Sequence, residues 1–550
     1  MRLDRRHFLR LGLQTGLAYV SFHPLLKAGA QSRLFGAPAL DPGPLRAVQG
    51  PFTNANFNGE EYTRPHHILW DTEKYIAAKG GRPAVSERRE VVVIGGGVSG
   101  LCSAFFLQRK NPLVLEQGHH FGGTSQGEVY QNTPFSIGAA YMTVPEAGST
   151  IHRLLQATGA LPAARIEKES EARVLVKGAG FRSLWNGEAD AKNQQIIARV
   201  AADFAGIARS AYPNIPWKTG GLNRRALEQL DGLTFLEWLQ QRYGEKLPAS
   251  LLEYFQVYAW SSFAGSIDEI SAAQALNFLT AETEGIMSFP GGNAYVAQSL
   301  FQHLQRHLSP DSLRANTMVL DVRADAQGAE VLFEDPQGQL RIVRAKACVV
   351  ALPKNVASMI VPQMTKEQRQ LAQDISYRPY VVANLLLDRR VPSPCFDAFH
   401  LEGHVPASPS KSRPPRRPYS DVCFANWSTG DRAPRSVLTL YRPLPYEGAR
   451  KSLYDGPVFG RLQKEMAATA GEILQALGAG DARVEGLRLT RWGHSLPLAA
   501  PGFFAARQDA VFNTPTAGRI FYANQDNALN PSFESACASA ETAAARILSG

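Results

Sequence analysis

Hydrophobic positions change period several times along the chain, and each change marks an element. Val91-Val92-Val93-Ile94 is an unbroken apolar run, as in a strand buried on both faces. It leads into Gly95-Gly96-Gly97-Val98-Ser99-Gly100, a helix-forming stretch to Gln108, and a second apolar run, Leu113-Val114-Leu115, ending on Glu116. This predicts strand, tight turn, helix and a second strand. Helical periodicity then dominates from about 150 to 285. Within it Thr234 caps a helix, Glu237 completes a capping box, Leu233 can staple onto Trp238, and Gly244 stops the helix. A further helix is expected from Asn293 to about His307. Strand signals return at 317–322, around the turn Asp335-Pro336-Gln337-Gly338, and in the buried run Cys348-Val349-Val350-Ala351-Leu352-Pro353. Pro531 precedes an Ala-rich helical run that reaches Leu548. Residues 31–88 show little periodicity and read as an irregular extension. The proline-rich, basic segment from Pro406 to Pro418 reads as a solvated loop.

The turn at residues 95–100 carries specific chemistry. Gly95 permits the tight bend, Gly97 lets a pyrophosphate approach the backbone, and Gly100 lets the helix lie close on the sheet. Amides at the helix start bind phosphate. Glu116, 21 residues after Gly95, is placed to bond ribose hydroxyls. A second glycine pair, Gly122-Gly123-Thr124, follows. That combination resembles the extended motif of the flavin-containing amine oxidase superfamily, in which a second backbone segment wraps FAD. The same order of blocks continues in Phe289-Pro290-Gly291-Gly292-Asn293 and in the C-terminal Gly518-Arg519-Ile520 to Asp526. The resemblance implies that Val319 contacts adenine through its backbone and that Asp526 meets the ribityl-phosphate region. It also implies that the helix beginning near Phe533 points its positive end at the flavin.

The implied fold is α/β: a Rossmann-like, glutathione-reductase-like FAD-binding domain with a second, α+β substrate domain. The FAD-binding part is discontinuous, from 89–150, 286–355 and 485–550. The substrate domain comprises 151–285 and 356–484. At 550 residues, with 44% hydrophobic and 19% charged residues, the chain is long enough for both.

The net charge of +9 is partly local, because residues 1–30 contribute +4. No dense basic helix or aromatic-basic stripe appears, so no nucleic-acid partner is expected. Arg5-Arg6-His7-Phe8-Leu9-Arg10 resembles a twin-arginine signal, and Ala28-Gly29-Ala30 offers a cleavage site. The apolar stretch between them is too short and polar for a stable membrane span. The expectation is a signal peptide over 1–30, a twin-arginine translocase as partner, and a periplasmic location. The five cysteines form no CxxC pair, so no metal site is expected. Cys395 and Cys423 flank a loop and can pair in an oxidising compartment.

Shorter matches, at Pro379-Tyr380-Val381-Val382-Ala383-Asn384, Thr490-Arg491-Trp492-Gly493-His494 and the C-terminal block, resemble bacterial spermidine dehydrogenase-like proteins. Oxygen-using members of the superfamily place a Lys at flavin N5 in the strand where this chain has about Ala383. This departure favours a dehydrogenase passing electrons to a quinone or cytochrome. With no cysteine near Trp492, FAD is expected to be non-covalent. His494 is the leading polar candidate for acid–base work or substrate orientation, with a structural histidine as the competing reading. Trp492 is expected beside the flavin and Tyr141 in the pocket. Glu282 and Glu284 can attract a cationic amine, although an acidic pair on a turn is more often simply solvated. The reading is hydride removal from a C–H bond of a small-molecule substrate, next to an amine nitrogen. The alternatives are desaturation or dehydrogenation of an apolar substrate and a non-catalytic flavin-bearing envelope protein.

Overall fold

The computed structural model describes residues 42–210, 215, 224–244 and 247–549; the twin-arginine and cleavage motifs lie outside them. The apolar runs form a parallel sheet in the order Leu313–Arg314, Leu113–Leu115, Val85–Ile94, Leu340–Val350, Ile520–Tyr522. Residues 91–94 are buried on both faces, which is why their pattern shows no alternation. The first half of Leu340–Val350 pairs instead with Gly328–Glu334, which pairs with Met318–Asp325 in an antiparallel meander. Asp335 closes the turn of that meander: its Oδ1 accepts from the amides of Gln337 and Gln339 at 3.0 and 2.8 Å.

Helix Val98–Phe106 follows the first strand and packs against the C-terminal helix Phe533–Ser549. The buried thiols of Cys102 and Cys537 meet across this contact.

A second sheet of eight strands runs Gly180–Ser183, Arg173–Val176, Asp397–Leu401, Asp421–Phe424, Val437–Pro443, Tyr377–Leu387, Val484–Pro497, Asn58–Gly59. Every residue of Tyr377–Leu387 is buried, as its near-continuous apolar sequence requires. A helical layer adjoins this sheet and includes Ala191–Arg209, Ala249–Phe263 and Ala272–Ala281. The capping box is present: the Glu237 amide donates to Thr234 Oγ1 at 3.2 Å, and the Thr234 amide donates to Glu237 Oε2 at 2.8 Å. Gly244 ends that helix with φ +63°. The mixed α/β class is as expected from the sequence.

Three expectations change. The described part of 31–88 is not irregular: it holds two short strands, Leu45–Ala47 and Asn58–Gly59, and the helices Thr63–Leu69 and Thr72–Ala78. Leu45–Ala47 pairs in parallel with Gly127–Tyr130, and Phe52 is buried in the core of the large sheet. These elements are too short to show a period, so their order comes from partners elsewhere in the chain. Cys395 and Cys423 are buried free thiols. They lie within the packed core of the sheet, where burial rather than cross-linking holds them. The loop from 406 to 418 is not wholly solvated, because Arg417 is buried and paired with Glu253. Among the described residues, no helix is long and apolar enough to cross a membrane.

Candidate active site

The glycine turn has the geometry that a bound dinucleotide needs. Gly95 adopts φ +101°, and a Cβ there would lie 2.6 Å from the Ala351 carbonyl. At Gly100 a Cβ would lie 1.8 Å from the Gly95 carbonyl, so helix and turn can touch only without a side chain. Gly97 differs: its Cβ would meet nothing nearer than Gly123 Cα at 3.6 Å. The protein itself leaves that space open. Gly97 bridges to Gly122, whose amide donates to the Gly96 carbonyl at 2.8 Å, so the two glycine segments lie side by side as a backbone cradle.

Glu116 is held by the amides of Gly96 at 2.6 Å and Gly118 at 2.7 Å. Each oxygen accepts one of these bonds and retains acceptor capacity for a hydroxyl. Burial raises its pKa and its amide partners lower it, with burial dominant. The Thr317 amide donates to the Glu116 carbonyl at 2.8 Å, placing the strand that carries Val319 beside the same acid. Asp526 accepts from the Lys354 amide at 2.8 Å and from the Tyr377 hydroxyl. Its other oxygen, Oδ1, is buried and unpartnered, an open acceptor in the cofactor half. The side-chain-free space at Gly97, the open valences of Glu116 and the orphaned Asp526 oxygen fit FAD.

Beyond the cradle lies a cavity of about 350 Å³. Val98 and Thr124 line it from the cofactor side, and Ser532 and Phe533 from the start of the last helix. Ser532 Oγ accepts from the Ser535 amide at 3.0 Å, capping that helix. Trp492 also lines the cavity and donates through Nε1 to the Ile137 carbonyl at 2.7 Å. Tyr141 reaches the cavity, and its hydroxyl donates to Glu282 Oε1 at 3.2 Å. The structure therefore brings Trp492, Tyr141, Thr124 and Phe533 together.

It does not bring His494 to them. His494 is absent from the cavity lining, and its Nδ1 is 4.0 Å from Glu60 Oε2. Its ring lies 6.2 Å from that of His66 and 5.9 Å from that of Tyr377. Burial, then Arg450 and His66, push its pKa down to about 3, so the imidazole is neutral at neutral pH. Ala383 is also off the cavity, in the core. Strand alternation presents Tyr380 and Val382 instead. No lysine, arginine or histidine lines the cavity among the described residues.

The cavity's charge is acidic. Glu282, Asp421 and Glu534 all line it. Glu282 is buried, whereas Glu284 is exposed, so the two acids of this turn have separate fates. Burial, reinforced by Glu169, pushes Glu282 up to about 8. Asp421 Oδ1 accepts from Ser261 Oγ at 2.6 Å and from Ser420 Oγ; burial outweighs these bonds and raises it to about 6. Tyr380 and Tyr441 stand nearby with ring centroids 5.6 Å apart at 74°. Glu534 accepts from the Thr143 amide and hydroxyl at 2.8 and 2.7 Å. Asp397, Asp421 and Cys423 also have donor atoms within 4.8 Å of one another, a grouping of the size that holds a metal ion. Sequence reasoning passed over Asp421, Asp397, Tyr380 and Tyr441 as site residues. The available signal was an acid inside each of two short apolar strands, Asp397–Leu401 and Asp421–Phe424.

A parallel sheet with a glycine turn, a ribose acid and a cavity at the turn's mouth defines a dinucleotide-binding protein. Residues 98–548 match the family described as flavin containing amine oxidoreductase, and the chain belongs to that family. It is an FAD-dependent oxidoreductase. Over 516 aligned residues it is 25% identical to oxidoreductase PigB of Serratia sp. (strain ATCC 39006), covering 84% of this chain and 75% of that one. Wild-type putrescine oxidase bound to putrescine superposes with a TM-score of 0.61 at 17% identity, over 84% of this chain and 99% of that one. Cyclohexylamine oxidase from Brevibacterium oxydans IH-35A does so with a TM-score of 0.61 at 16% identity, over 84% and 99%. These structural likenesses establish the shared fold.

Proposed function

We propose that this enzyme oxidises an amine, of polyamine-like character, at the carbon beside nitrogen. The observation that carries the reading is the cavity wall: Asp421 and Glu534 face an otherwise largely apolar and aromatic space with no basic side chain among its described lining residues. Such a wall favours a cation with an alkyl body. Bound FAD supplies the hydride acceptor. The chain's own residues seat the substrate and exclude water: Tyr141 and Glu282 form one wall, Tyr380 and Tyr441 another, and Trp492 flanks the cofactor side. With no cysteine near Trp492, the cofactor is held non-covalently in this reading.

The reading continues to the electron acceptor. Oxygen-reactive relatives in this superfamily resemble one another in a lysine near flavin N5, and here the cavity-facing strand positions are Tyr380 and Val382. A dehydrogenase using a quinone or a cytochrome follows from that substitution. Export by the twin-arginine translocase to the periplasm belongs to the same reading and rests on Arg5 and Arg6.

Anaerobic bleaching of the bound flavin tests the substrate class. Polyamines or simple amines should bleach it, while apolar alkenes and alcohols should not; the reverse pattern would move the enzyme to the desaturase-like alternative.

A further inference from the structure

Asp397–Leu401 and Asp421–Phe424 are adjacent antiparallel strands, with Asp397 opposite Cys423 and Asp421 opposite Phe399. Asp397, Cys423 and Asp421 therefore share one face of the sheet. Both acids are buried, and neither forms an ion pair with a described residue. Asp421 is satisfied by hydroxyl donors, Ser261 Oγ at 2.6 Å and Ser420 Oγ, whereas Asp397 Oδ1 has no partner. Two buried carboxylates this close cannot both stay ionised without a cation. The side-chain oxygens of the two acids lie within 4.8 Å of one another. Only Asp421 opens onto the cavity, where Ser261 Oγ links it to the Tyr380 hydroxyl at 2.8 Å.

We propose that Asp421 is the base that takes a proton from the substrate's ammonium as it seats in the cavity. This rests on the amine reading above. In the step an N–H bond breaks and an O–H bond forms on Asp421, while the electron pair stays on nitrogen. No electron leaves the substrate. The lone pair so released is what allows hydride to leave the neighbouring carbon. Asp421 is then a catalytic residue, and Ser261 and Ser420 are positioning residues.

The surroundings separate Asp421 from Glu282. Asp397 faces Asp421 from the paired strand on one side, and Cys423 lies two residues along Asp421's own strand. Tyr441 stands opposite Asp421 on the paired strand on the other side, and Tyr380 comes from the strand beyond. Tyr258 and Tyr254 come from the overlying helix, Tyr419 from the preceding turn, and Glu167, Cys395, Glu282 and Tyr141 from farther round. Burial pushes every one of these groups toward its neutral form. Glu282, at about 8, keeps its proton at neutral pH, whereas Asp421, at about 6, has lost it.

The experiment is anaerobic stopped-flow bleaching of FAD-loaded enzyme by putrescine across pH. Asp421→Asn should lower the rate by about 10²-fold at pH 7, with the deficit closing as pH approaches the ammonium's own pKa. Ser261→Ala and Ser420→Ala each remove a donor that favours the Asp421 anion. Each should move the acid limb to higher pH by about half a unit or more. A loss in Asp421→Asn that is equal at every pH, or acid limbs unmoved in the other two variants, overturns the proposal. So does loss of bleaching on adding EDTA, which would assign Asp397, Asp421 and Cys423 to a metal ion instead. If no amine bleaches the wild-type flavin, the amine reading itself has failed, an outcome separable from all of these.

Discussion

The cofactor cradle and the substrate wall meet in one active site but are built in opposite ways. Gly95, Gly97, Gly100 and Glu116 come from one unbroken strand–turn–helix–strand, and their spacing sets their geometry. The wall takes Tyr141, Glu282, Tyr380, Asp421 and Trp492 from five separate segments, and no local spacing relates them. The cradle is backbone chemistry, in which missing side chains matter most. The wall is side-chain chemistry, in which buried charge matters most. One can be read from a short sequence; the other exists only after folding.

Substituting the two glycines gives the sharpest break of this comparison. Gly100→Ala should abolish the folded, FAD-bound protein, because its Cβ would sit 1.8 Å from the Gly95 carbonyl oxygen. Gly97→Val should instead leave a folded protein that retains no FAD, since only the pyrophosphate needs that space. Far-UV circular dichroism and the flavin absorbance of purified protein separate these outcomes. Equal loss of fold in both variants would mean that Gly97 serves the protein rather than the cofactor.

On the wall side, the next effect is the Arg417–Glu253 pair. Both side chains are buried, and Glu253 also accepts from the amides of Glu402 and Gly403 at 2.7 and 3.0 Å. Arg417 stands four residues before Asp421, so the pair anchors the approach to that strand. Glu253→Ala should cost about 3–5 kcal/mol, read by denaturant unfolding, because it removes the buried carboxylate on the Arg417 guanidinium and leaves only Glu402, 3.3 Å from Nε. A loss below about 1 kcal/mol would show that the approach to Asp421 is held by other contacts.

The smallest effect distinguishes a wall acid from a cradle acid. Glu282 has a folded pKa of about 8, above its unfolded value, so the folded state keeps a proton that the unfolded state releases. Stability therefore falls as pH rises from about 4.5 to about 8. Glu282→Gln removes that penalty. Its melting temperature in the absence of substrate should exceed the wild-type value by a few degrees at pH 8 and match it at pH 4. A uniform shift at both pH values would mean that Glu282 acts through packing alone.

Much of the fold was legible. The runs at 91–94 and 113–115, the Thr234 cap, the Asp335 turn and the helix before His307 all formed where local pattern placed them. The site was legible unevenly. Trp492, Tyr141, Thr124 and Phe533 line the cavity, but His494 packs beside His66 and Glu60 instead. A strand residue's direction depends on register and bulges, and the pairing of Tyr377–Leu387 with Val484–Pro497 shifts register between Arg378 and Tyr380. The same sensitivity turned Ala383 into the core and Val382 into the cavity.

By itself, the sequence determined the dinucleotide turn, the ribose acid and the alternation of helices and strands, because each depends on contacts within a few residues. It also carried the family, since the cofactor blocks keep their order along the chain. Only the tertiary structure decided that Glu282 is buried while Glu284 is solvated, and that Asp397 and Asp421 share one face. It alone ordered residues 42–84 against distant strands. Burial and charge proximity are sums over the whole fold, so the pKa of an acid, and with it the acid's chemistry, is not a property of its local sequence.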